Sequence, residues 1–253
     1  GPVSARLAVL DFVPGAGQLS PPVPLGPCGL SNYIGEYAVD ANAPVTSPEF
    51  IKAHVFGTVM DTIQMFEEED LLGRKVDWAF DAPQLFIVPR AGDWQNAFYD
   101  RSTHSLQFFF FESNLTAGKT VYTALSRDIV CHETGHAVFD GICPDLLVAL
   151  TPQSRALHEA IADTTSLIMA FRSKKLATKV LEQTGGSIVN SSAFSTIAQE
   201  FATERSDLGG PGYLRQLNND KTLEDVEPDD PYALCEVLTG ALYTVAEKMH
   251  GAD

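Results

Sequence analysis

Hydrophobic positions fall first in short extended runs and later at helical spacing. Residues 3–12 are apolar and rich in branched side chains, which predicts a strand. GAGQLSPPVPLGPCGLSN follows, a Pro/Gly-rich run that can be neither helix nor central strand. From residue 47 the period changes. Ile51, Val55, Val59, Ile63 and Phe66 recur at helical spacing, with Ser47 placed to cap and Pro48 at the first helical position. This predicts an amphipathic helix to about residue 70, with EEED (67–70) as its solvated end. WAFDAPQLFIVPR and NAFYDRSTHSLQFFFF then read as strands joined by a polar turn.

After residue 120 the chain turns helical. One predicted helix carries DIVCHETGHAVFDG and stops near Gly141, with Pro144 beyond it. A second opens at Thr151-Pro152 and runs to the Gly185-Gly186 break, and two more cover roughly 190–204 and 232–249. No internal repeat is visible. Strands first and helices last predict an α+β fold of two lobes, residues 3–140 mixed and residues 141–253 helical.

Charge narrows the function. Seventeen basic against 33 acidic residues give −16, with no local basic cluster, which argues against nucleic acid and anionic membranes as partners. FFFF (108–111) and LLVAL (146–150) are core-sized, so no membrane span is expected. Cys28, Cys131, Cys143 and Cys235 form no CxxC pair and read as free thiols. Gly1-Pro2 reads as the remnant of a cleaved tag and is set aside.

The chemistry lies in two helical stretches. In HETGH, His132 and His136 are four apart, so both imidazoles face one side of a helix and can meet one ion. Zinc suits two neutral imidazoles and a carboxylate, with a fourth position for water, and Glu133 stands where it can take that water's proton. In LHEAIADTTS, Glu159 and Asp163 are again four apart. Alone they would read as two solvated acids. Beside HETGH, Glu159 becomes the third ligand and Asp163 the acceptor for a ligand histidine's second ring N–H. Ile142 stands where an extended HExxHxxGxxH pattern needs histidine. His158 adjoins Glu159 but is expected to point about 100° away around the helix. His54, His104 and His250 fit no pattern and read as surface or satisfied core residues.

At these residues the chain resembles the thermolysin-like zinc metallopeptidases, over roughly residues 94–250. DIVCHETGHAVFDG is similar to their zinc helix, and LHEAIADTTSLIMAF to their glutamate helix. QNAFYD is similar to their edge strand, which implies that Asn96 and Ala97, with Tyr99 beside them, hold a substrate backbone. GYLRQLNND is similar to their substrate-clamping segment. The resemblance implies Arg215 on the substrate carbonyl, with Leu214 and Ile129 in a pocket for the residue after the scissile bond. It also implies a two-lobed metallopeptidase with the zinc helix at the cleft. Three departures stand out, the first being that residues 137–158 hold no tyrosine to match the family's second oxyanion donor. Tyr232, eleven residues before Tyr243, occupies the place of a catalytic histidine; its phenol can still donate to a developing oxyanion. Asp128 matches one calcium ligand of the family, but Ala170 stands where a glutamate would follow, which leaves calcium without its full ligand set.

The expected function is a zinc-dependent endopeptidase acting on a peptide or protein, as a monomer, and preferring a hydrophobic residue after the cut. The alternative is a catalytically weak zinc-binding homologue that serves as a peptide-binding or latent module. A thiolate from Cys28 on the metal would be one route to latency. The resemblance points to export, while the cysteines and the missing calcium acid leave an intracellular location open.

Overall fold

Leu7, Val9, Leu85, Ile87, Leu106 and Phe108 are all buried, and they belong to three strands that lie side by side. The computed structural model describes residues 1–28, 31–37, 39–188, 192–197 and 215–251. Its four-stranded sheet begins with β1 (Leu7–Val9). Two small hairpins follow, β2 (Phe12–Val13) with β3 (Gln18–Leu19), and β4 (Leu25–Cys28) with β5 (Ser31–Tyr37). The sheet resumes with β6 (Leu85–Val88), β7 (Ala97–Asp100) and β8 (Ser105–Phe108), in the order β1-β6-β8-β7. β1, β6 and β8 run parallel, and β7 lies antiparallel on β8 as the sheet's edge. Two further pairs are β9 (Phe110–Glu112) with β10 (Thr120–Tyr122), and β11 (Thr196–Ile197) with β12 (Arg215–Gln216).

Helix α1 (Pro48–Glu67) starts as its sequence dictates, with the Ser47 hydroxyl accepting from the Phe50 N–H. Its Ile51, Val55, Val59 and Ile63 are buried in the core shared with the sheet. The HETGH helix α2 (Arg127–Ile142) packs on α1 on one side and on α4 (Pro152–Arg172) on another, with short α3 (Pro144–Val148) between them in sequence. Helices α5 (Lys174–Thr184), α6 (Ser192–Ser195) and α7 (Pro231–His250) are the others among the described residues, α7 lying against α4. The protein is therefore mixed α+β. Among the described residues, no helix is long and apolar enough to cross a membrane.

Several expectations need correction. The first strand stops at Val9 because Asp11 turns inward, where Arg90 binds it through two hydrogen bonds of 2.8 Å and buried Lys52 lies 3.8 Å away. The Pro-rich run holds β3, β4 and part of β5, all in isolated hairpins rather than the main sheet, so the bar on a central strand holds. In WAFDAPQLFIVPR only Leu85–Val88 is strand, since Pro83 lacks the donor that a longer ladder needs. EEED is not simply solvated: Glu67 pairs with Arg6 and accepts from the Val76 N–H, and Glu68 pairs with Arg172 at 2.6 Å. The helix expected to run to Gly185 breaks at Ser173, whose extended ψ of 92° ends α4 and opens α5. Neither Gly nor Pro marks that break. Of the helix expected over 190–204, only Ser192–Ser195 is helical and Thr196–Ile197 is strand; the other residues lie outside the described ones.

Candidate metal centre and cleft

Helix α2 presents His132 and His136 one turn apart, and α4 crosses close enough to bring Glu159 between them. The close crossing depends on Gly135, where a Cβ would stand 2.8 Å from Thr165 Oγ1 and 3.1 Å from the Ala162 Cα. The two Nε2 atoms face each other at 3.1 Å. Glu159 Oε2 lies 3.5 Å from His132 Nε2, and Oε1 3.6 Å from His136 Nε2. These three side chains form a group that could hold a metal ion, with all ligand atoms within 4.8 Å of one another.

The surroundings hold these three side chains in place. Asp163 is fully buried, and its Oδ1 lies 2.9 Å from His132 Nδ1. That contact is at hydrogen-bond distance, and the buried carboxylate is the acceptor nearest to His132 Nδ1. Burial alone would push the His132 imidazolium toward deprotonation, yet Asp163 and Glu159 together raise its pKa to about 10. Burial lowers His136 to about 3 and raises Glu133 to about 7. Burial opposes the Glu159 carboxylate too, but His132 and His136 hold it well below the usual range.

These side chains open onto a cavity of about 660 Å³. Asn96, Ala97, Tyr99, Ile129, His132, Glu133, His136, Glu159, Arg215 and Tyr232 all line it, so the structure gathers these ten expected residues at one place. Asp163 stands behind them, and Leu214 lies outside the described residues.

The β7 edge is oriented toward this cavity. The Phe109 N–H donates to the Asn96 carbonyl, and the Tyr99 N–H donates to Glu133 Oε2 at 3.0 Å. By the alternation of an antiparallel ladder, the backbone groups of Ala97 and Tyr99 face away from β8. Two donors expected to serve a substrate are thus already engaged, Tyr99 by Glu133 and the Ala97 N–H by Asn96 Oδ1 at 2.9 Å.

Arg215 also differs from its expected role. Its guanidinium forks onto Asp163, with Nε to Oδ2 at 2.6 Å and Nη2 to Oδ1 at 2.7 Å, and Nη2 lies 3.3 Å from Glu159 Oε2. It first balances two buried acids, and Nη1 takes no part in that fork. Tyr232 sits at the start of α7, 56 % exposed, with its ring 5.7 Å from the Arg215 guanidinium carbon. Glu159 above all, and burial next, raise its pKa, so it is a neutral phenol at physiological pH.

Three features escaped the reading of spacing. His158 does not point away: it is 3 % exposed, lines the cavity, and sets its Nδ1 3.3 Å from His136 Nδ1. The step of 100° around α4 turns it toward α2, because the crossing at Gly135 brings the two helices together. Asp140, fully buried one turn beyond His136, accepts from Tyr99 Oη at 2.8 Å and from the Arg101 guanidinium. With the Tyr99 N–H on Glu133, this clamps the edge strand to α2. Gly135 itself is hidden in a variable position of HExxH.

A scan of the chain against protein-family models finds no match, and a search of curated proteins finds none either.

Proposed function

We propose that the protein is a zinc-dependent endopeptidase. The observation that carries this reading is the convergence of His132, His136 and Glu159 in one cavity with Glu133 and an edge strand. The donor set fits zinc: two imidazoles and a carboxylate are its catalytic complement. Zinc–ligand distances of about 2.05 Å at tetrahedral angles imply ligand separations of roughly 3.3 Å. The observed 3.1, 3.5 and 3.6 Å bracket that value. When bound, zinc supplies a Lewis acid for the substrate carbonyl and lowers the pKa of a water toward ~7.

The chain's own residues would do the rest. The Tyr99 N–H holds Glu133 through Oε2, leaving Oε1 to take a proton from water and return it to the departing amine. The outward carbonyl of Ala97 accepts a hydrogen bond from an extended peptide, which adds to the β7 edge. Tyr232 Oη, and Nη1 of Arg215, are the donors available to charge developing on the scissile carbonyl oxygen. Ile129 offers an apolar wall for the residue after the cut. In this reading the cleft separates a mixed N-terminal lobe from a helical C-terminal one.

A second reading is a zinc-binding module with little turnover. It is favoured by the exposed Tyr232 where the resembled family has histidine, and by the engagement of Arg215 with Asp163. Cleavage of denatured casein separates the two. Zinc-loaded wild type is expected to cleave, and Glu133→Gln to retain zinc with activity lowered at least ~100-fold, as loss of a general base predicts. Equal cleavage by that variant would assign the activity to another protein, and an inactive, zinc-loaded wild type would favour the module.

A further inference from the structure

We infer that Arg155 makes the cleft selective for an acidic side chain one or two residues before the scissile bond; this rests on the endopeptidase reading, in which Ile129 walls the residue after it. Helices α2 and α4 run antiparallel across the site. The Asp128 carbonyl accepts from Ser166 Oγ at 2.7 Å, His132 meets Asp163 at 2.9 Å, and His136 meets His158 at 3.3 Å. Advancing along α2 therefore means retreating along α4. Ile129 stands at one end of this row and the metal group in its middle. Arg155 stands at the other end, where Leu147 of α3 also lines the cavity.

The ordinary role of an exposed arginine on a helix is to face solvent or to pair within the helix. Arg155 is exposed and lies four residues before Glu159, the spacing for such a pair. None forms. Glu159 is taken by His132 at 3.5 Å, His136 at 3.6 Å and Arg215 at 3.3 Å. Among the described residues the Arg155 side chain makes no ion pair and no hydrogen bond. Yet it lines the cavity, and its charge acts on the Tyr232 phenol. Arg215, the other guanidinium there, is committed to Asp163 by hydrogen bonds of 2.6 and 2.7 Å. Arg155 is thus the guanidinium in the cavity left to serve a ligand, and its planar fork matches a carboxylate.

Reach and direction select which carboxylate. Four residues of α4 place Arg155 about 6 Å from Glu159 along the helix. An extended peptide advances about 3.3 Å per residue, so side chains one or two residues before the bond come level with it. The peptide's own terminal carboxylate lies after the bond, toward Ile129, and so at the wrong end. A free terminal ammonium before the bond would be repelled, which agrees with cutting inside a chain. Because Arg155 is exposed, solvent screens the pair and the selectivity is modest.

The test uses peptides with acetylated and amidated ends and a single leucine, which sets the register against Ile129. The two residues before the leucine are both Glu, both Gln or both Lys. Wild type, Arg155→Ala and Arg155→Glu are compared by kcat/KM, with the cut mapped by mass spectrometry. We expect wild type to favour Glu over Gln by about 3- to 10-fold, a ratio that shrinks as salt rises. Arg155→Ala should bring the ratio near one, and Arg155→Glu should favour Lys. No preference in wild type, or a preference only when Glu follows the cut, would overturn the inference. Equal losses on the Glu and Gln peptides in Arg155→Ala would show that Arg155 acts by packing, and would overturn it too. Binding of the same peptides to zinc-loaded Glu133→Gln, by fluorescence anisotropy, separates this from the reading beneath it. If wild type cuts nothing but the affinities keep the expected order, the endopeptidase reading fails and the acidic selectivity of the cleft stands. Equal affinities would overturn the inference whether or not wild type cuts.

Discussion

Gly135 has no side chain because α4 leaves no room for one. A methyl group there would stand 2.8 Å from Thr165 Oγ1 and 3.1 Å from the Ala162 backbone, so one of the two helices must move. We predict that Gly135→Ala lowers stability by about 1–3 kcal/mol, the usual cost of overpacking, and weakens zinc binding by at least about 10-fold, because the shift separates Glu159 from the imidazoles. Thermal unfolding and chelator competition check the two effects. Unchanged zinc affinity would mean that α4 yields elsewhere. The thiols give a second prediction at this scale. Burial pushes Cys131 up to about 11 and Cys235 higher still, while Cys143 is partly exposed. In the folded protein Cys143 should react with a thiol reagent at pH 8, and Cys131 and Cys235 should react only after denaturation. Labelling followed by mass mapping reads this directly.

At the scale of elements, the site depends on how β7 is held against α2. The Tyr99 backbone reaches Glu133, and the Tyr99 phenol with Arg101 reaches Asp140 one turn beyond His136. Removing Asp140 leaves two polar groups without their acceptor, though Arg101 retains some solvent. We predict that Asp140→Ala costs about 2–3 kcal/mol and lowers peptidase kcat/KM while zinc affinity changes little. A parallel loss of zinc would show that Asp140 shapes the metal ligands instead. This scale also marks what the sequence could reveal. His132, His136, Glu159 and Asp163 were readable because each pair is set by the repeat of a single helix. The Asp140–Tyr99–Arg101 clamp, the approach of His158 to His136 and the Arg215 fork each join separate elements, and no spacing within one element encodes them. The break at Ser173 was hidden for a different reason: it uses neither of the residues that disrupt a helix intrinsically. The α1 boundaries were legible because Ser47 and Pro48 act locally.

Across the whole molecule, the core is continuous from the sheet through α1 and α2 to α7, so a charge trapped in it affects global stability. His54 on α1 lies at the margin of this core, partly exposed but with its Nε2 buried. Burial first, and Arg127 next, lower its pKa, and its Nε2 has no hydrogen-bond partner among the described residues. The unfolded chain takes up this proton near pH ~6.5, while the folded chain resists it. Below that pH the unfolded state binds more protons, so stability falls as pH drops, with a limiting slope of about 1.4 kcal/mol per pH unit. His54→Leu should flatten the stability profile between pH 6.5 and 5 relative to wild type in urea unfolding. Identical slopes would show that His54 titrates freely. The net charge of −16 acts at the same scale, and the cation at Arg215 is held inside it by two acids.

The central claim is that His132, His136 and Glu159 hold one zinc and leave a position for water. X-ray absorption at the zinc edge, on protein reconstituted with one equivalent, tests this most directly. The account predicts nitrogen and oxygen donors only, at about 2.0–2.1 Å, with the outer-shell scattering of two imidazoles. A sulfur donor near 2.3 Å, as Cys28 would give, or the absence of stoichiometric zinc, would contradict it.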